Sequence, residues 1–90
     1  VAAMIASGLH GIEAGLSLEP AFEGNAYASD APRVPTHLRD AAQLWSESTI
    51  ARAEFGDAVV DHYANNARIE VAAFDAAISD WERVRGFERM

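Results

Sequence analysis

Val60, Tyr63, Ala67, Val71, Phe74 and Ile78 recur every three or four residues, over about five helical turns. An α-helix returns to the same side every 3.6 residues, and a strand every two. This stretch therefore keeps one apolar face only as a long helix. Asp61, Asn65 and Arg68 fall on its polar side. The same spacing marks Val1, Ile5, Leu9, Ile12 and Leu16. It returns at Leu38, Ala42 and Trp45, followed by Thr49 or Ile50. No segment alternates as a half-buried strand would. The expected fold class is all-α, with about four helices and one long loop.

Turn and cap residues set the boundaries. The first helix is expected from Val1 to about Gly15. It contains Gly8 and Gly11, each costing about 1 kcal/mol relative to Ala. Close approach of another backbone would compensate, so this helix is expected in a crowded interior. Leu16 to Pro35 reads as loop, punctuated by Pro20, Gly24, Pro32 and Pro35. A loop that long in a compact domain is usually functional, and Phe22, Tyr27 and Val34 offer anchors. Thr36 is placed to cap the second helix. Ser46, Glu47 and Ser48 bend that helix or divide it, and Gly56 ends the region. The closing short helix carries a capping box, Ser79 with Glu82 three residues on. Asp80 and Glu82 sit at its positive end, and Arg83, Arg85 and Arg89 toward its negative end.

Ninety residues make one structural unit at most. Fourteen acidic residues against seven basic ones, all Arg, give a net charge of −7. That charge repels phosphate backbones and anionic bilayers, so nucleic-acid and membrane partners are not expected. No run of eighteen apolar residues is present for a transmembrane helix. The absence of Cys removes disulfides and thiolate sites and is compatible with a cytoplasmic location. The chain opens at Val1 within helical pattern and without a cap, which reads as a piece of something longer.

The search for chemistry finds candidates, each with a plain structural reading. Asp57 and Asp61 share a helix face and could hold a metal with His62, but a third convergent ligand is not visible. A solvated acidic helix start explains them as well. Ser7 and His10 lie three residues apart, as a nucleophile and base could, yet packing in a small-residue helix suffices. His37, Glu13, Glu19 and Glu23 include possible acids and bases, none singled out. Trp45, Phe74, Trp81 and Phe87 sit at helical spacings, which favours core or subunit contact over a cofactor box. Gly8 and Gly11 do not make a phosphate-binding loop. Catalytic, cofactor-binding and metal-ligating residues are thus not expected in this segment. A stand-alone helical interaction module without catalysis fits the residues taken singly.

Taken in order, the motifs resemble the glutamine synthetase family. Gly8-Leu9-His10-Gly11-Ile12-Glu13 resembles that family's Gly-Leu-x-Gly-Ile helix. Glu23-Gly24-Asn25-Ala26-Tyr27 is similar to its Asn-x-Tyr loop. Pro35 and Leu38-Arg39-Asp40-Ala41 look like the entry to its next helix, and Phe55-Gly56-Asp57 with Asp61-His62-Tyr63 like the stretch after it. Arg68 and Glu70 match an Arg-x-Glu, and Ser79-Asp80-Trp81-Glu82-Arg83 the closing Thr/Ser-Asp-Trp-Glu.

The resemblance implies the C-terminal part of an α+β catalytic domain, spanning residues 1–90, with the N-terminal part of the subunit as its partner and a ring-shaped homo-oligomer as its assembly. It implies an ATP-dependent ligase, assisted by Mg²⁺ or Mn²⁺, that forms a γ-glutamyl amide from glutamate and ammonia or another amine. The family's metal, nucleotide and glutamate ligands would lie upstream, leaving scaffold and subunit contact here. Tyr27, with Asn25, occupies the place of a tyrosine that is adenylylated in classical bacterial members. Ala26 stands where those members carry Leu, and the chain ends at Arg89-Met90 without their long tail. Ala67 stands where many members carry Lys. These departures imply the divergent branch, some of which use amines such as polyamines.

Overall fold

The computed structural model describes residues 1–89. The order is α1 (Ala2–Glu13), a 3₁₀ turn (Ala26–Ala28), α2 (Leu38–Glu47), α3 (Thr49–Phe55), α4 (Asp57–Ala76) and α5 (Asp80–Arg89). The described residues form no strand, so the segment is all-α. The second expected helix is divided at Ser48, which gives five α-helices. Ser48 takes an extended conformation, and its Oγ accepts from the amide of Ala51 at 3.1 Å. It thus ends one helix and caps the next.

Glycines at positive φ turn the chain at two helix ends. Gly15, at φ 64°, follows α1, and the amides of Gly15 and Leu16 donate to the carbonyls of Ile12 and Gly11. This is the Schellman pattern, in which a left-handed residue satisfies the last carbonyls of a helix. Gly56, at φ 82°, forms the corner between α3 and α4.

Two boundaries differ from the sequence expectation. Thr36 does not cap α2. His37 holds the N-cap position without a side-chain bond, and the Thr36 hydroxyl lies 2.9 Å from His37 Nδ1. Asp40 in the first turn supplies negative charge at the helix start instead. Ile78 does not extend the α4 face. The helix stops at Ala76 and Ala77 is extended, which carries the chain into the cap of α5.

Packing centres on α4, which contacts both α2 and α3, while α1 reaches α3. Helices α2 and α4 run antiparallel. Trp45 near the end of α2 bonds to Val60 near the start of α4. Arg39 at the start of α2 pairs with Asp75 at the end of α4. Val60 is fully buried and Ala51 nearly so, and the ring of Trp45 lies against Phe55 at 5.9 Å and edge-on to Tyr63 at 6.5 Å.

The remaining apolar surface is open. Ile5, Leu9, Ile12 and Leu16 of the α1 stripe are exposed, as are the loop anchors Phe22 and Val34. A Cβ at Gly8 or Gly11 would meet no atom within 4 Å. The close approach expected there is not made by the described residues. Phe74, Trp81 and Phe87, read as core or subunit contact, are also exposed, so only Trp45 of that group packs inside this segment. The radius of gyration is 18.6 Å, against about 12 Å for a compact domain of this length. The accessible surface is 8112 Å², against about 5,100 Å² for a folded monomer of this mass.

Candidate functional site

The long loop carries one well-ordered turn, and it presents Tyr27. Asn25 is extended, and its Oδ1 accepts from the Tyr27 amide at 3.1 Å. An Asn side chain that bonds two residues ahead fixes a turn. The amides of Ala28 and Ser29 donate to the carbonyls of Asn25 and Ala26. The Ser29 hydroxyl also donates to the Ala26 carbonyl, at 2.8 Å. From the far side, Arg33 Nη2 donates to the Tyr27 carbonyl at 2.9 Å. The backbone of Tyr27 is thus held at both its amide and its carbonyl, and the residue is 85% exposed. The turn can offer a phenol to an external group.

The structure separates the other candidates. Asp57 and Asp61 do come together, but on a cation from the protein itself. Arg52 Nη1 donates to Asp57 at 2.8 Å, Nη2 to Asp61 at 2.9 Å, and Nε to the Ser46 carbonyl at 2.9 Å. The hydrogen bond that Arg52 donates to Asp57, and then the one it donates to Asp61, raise its pKa above the ordinary value. His62 turns edge-on to Tyr63 at 5.3 Å. No group of three or more metal-ligating side chains forms among the described residues. With their oxygens facing the guanidinium, the Asp57–Asp61 pair does not fit a divalent cation.

Ser7 donates to the Ala3 carbonyl at 2.8 Å and is not paired with His10. His37 faces Thr36. Glu13, Glu19 and Glu23 are exposed. Arg52 and Arg33 were not singled out by the sequence. Arg52 spans five and nine residues to its carboxylates, across the Gly56 corner, and that is not a helical spacing. For Arg33 the signal was Asn25-x-Tyr27 followed by an Arg two residues before Pro35, which only the turn geometry gives meaning.

Among the described residues no helix is long and apolar enough to cross a membrane. An open cleft lies between the start of α2 and the second half of α4, floored by Leu38, Val71 and Phe74 and edged by Asp40, Glu70 and the Arg39–Asp75 pair.

Comparison with known proteins gives these features a context. The family described as glutamine synthetase, catalytic domain, matches residues 1–85. The chain is 59% identical over 90 residues, all of its length, to gamma-glutamylethanolamide synthetase of Streptomyces coelicolor, covering 20% of that protein. It is 34% identical over 88 residues to glutamate–isopropylamine ligase of a Pseudomonas species, over 94% of this chain and 19% of that protein. It is 32% identical over 93 residues to type-1 glutamine synthetase 2 of Dictyostelium discoideum, over 98% of this chain and 18% of that protein. The chain thus spans about a fifth of the length of the relatives it matches. The order of its motifs, its all-helical architecture and the match over residues 1–85 agree: this chain belongs to the glutamine synthetase catalytic-domain family.

Proposed function

We propose that this chain is the C-terminal helical segment of an ATP-dependent ligase subunit that joins the γ-carboxylate of glutamate to an amine. The observation that carries this reading is the 59% identity, over the whole chain, to a gamma-glutamylethanolamide synthetase. The glutamate–isopropylamine ligase among the relatives favours an amine over ammonia as the nitrogen donor.

In this reading the segment is scaffold and subunit contact. Its surface exceeds that of a compact monomer by about 3,000 Å². Exposed apolar side chains such as Leu9, Trp81 and Phe87 within that surface mark contact surfaces. The α1 stripe, with its open Gly8 and Gly11, suits the remainder of the subunit, and the outlying Trp81 and Phe87 suit a contact within a ring of subunits. In the same reading the Tyr27 turn is presented near the mouth of the active site. ATP and Mg²⁺ or Mn²⁺ are assigned to the rest of the subunit, in keeping with an Asp57–Asp61 pair already bridged by Arg52. The enzyme is assigned to the cytoplasm.

The test is phosphate release by the complete protein, supplied with ATP, glutamate and a panel of nitrogen donors that includes ethanolamine, alkylamines and ammonia. Glutamate-dependent turnover with an amine is expected. Turnover with ammonia alone would reassign the donor, and no glutamate-dependent turnover with any donor would overturn the ligase reading.

A further inference from the structure

We draw no further inference here: the strongest candidate, the open cleft between the start of α2 and the second half of α4 with its Leu38, Val71 and Phe74 floor, is an apolar face for which nothing in the structure shows what covers it.

Discussion

The indole N–H of Trp45 donates to the carbonyl of Val60 at 3.0 Å, and Val60 is the residue most completely buried among those described. One side chain of α2 thus fixes the first turn of α4, where an antiparallel partner would otherwise slide. Trp45→Phe keeps a ring against Phe55 and Tyr63 but removes the donor. It is expected to cost about 1 kcal/mol. Val60→Ala removes two buried methyls and leaves a cavity, at about 2 kcal/mol. Denaturant midpoints of the complete protein check both, and a silent Val60→Ala would show that this junction does not limit stability.

Arg52 and Arg39 separate a structural ion pair from a superficial one. Arg52 joins Ser46, Asp57 and Asp61 around the Gly56 corner, with its side chain 31% exposed. Arg39 meets Asp75 with both side chains more than half exposed. Exposed pairs are worth about 0–1 kcal/mol. Arg52→Met is therefore expected to lower the unfolding midpoint clearly, and Arg39→Met hardly at all. Arg52→Lys should rescue little, since one ammonium cannot reproduce the planar fork. Equal losses from Arg52→Met and Arg39→Met would contradict this ranking.

The start of α5 should loosen in acid. The Ser79 amide, and then its hydroxyl, hold the Glu82 carboxyl below its ordinary value of 4.5. A carboxyl lowered on folding adds stability above its unfolded value, and that stability is lost as pH falls through the folded value. Hydrogen exchange at the Glu82 and Arg83 amides should accelerate as pH drops below the usual carboxylate range, once intrinsic rates are removed. Glu82→Gln should remove this dependence. Ser79→Ala should also cost about 1 kcal/mol as a lost N-cap.

The turn around Tyr27 depends on its flanks and not on the phenol. Arg33→Ala or Asn25→Ala releases one hold on the Tyr27 backbone. Either should speed proteolytic cleavage between residues 25 and 33 of the complete protein. Tyr27→Phe removes an exposed hydroxyl and should change stability by less than about 0.5 kcal/mol. A protection pattern unmoved by Arg33→Ala would show that other contacts hold the turn.

The α1 stripe offers a comparison between whole and part. In the isolated 90 residues Leu9 is 51% exposed, so Leu9→Ser should leave the melt nearly unchanged. In the complete protein, where the stripe is proposed to be covered, the same change should cost about 2 kcal/mol or more. The isolated segment should melt broadly and bind hydrophobic dye, as loosely packed helical states do. A sharp monomeric transition of the segment alone would support a self-standing module instead.

Much of this architecture was legible in the residues because it is local. The Ser79–Glu82 box, the stop at Gly15 and the break near Ser48 each rest on bonds within a few residues. Thr36 misled because two polar neighbours compete: its hydroxyl lies against the adjacent imidazole and does not cap the helix. Ile78 misled because periodicity cannot see a helix end that no Gly or Pro announces. Phe74, Trp81 and Phe87 carry the right spacing for burial, but spacing says which face is apolar and not which chain covers it. The Asp57–Asp61 pair was visible, whereas its partner Arg52 came into reach only through the Gly56 corner, across which helical spacing does not count. Tyr27 stood out by its place in the loop, but the clamp on its carbonyl lies six residues away in Arg33.

The two tryptophans make the segment an optical gauge of its own surroundings. Trp45 is half-buried, with its indole N–H held by a carbonyl, while Trp81 is 72% exposed and lies under the Arg85 guanidinium. Their emission should differ in colour and in access to iodide. The bluer component then follows the α2–α4 junction, and the redder, quenchable one follows whatever comes to rest on α5, so folding and assembly can be watched separately in one unlabelled sample.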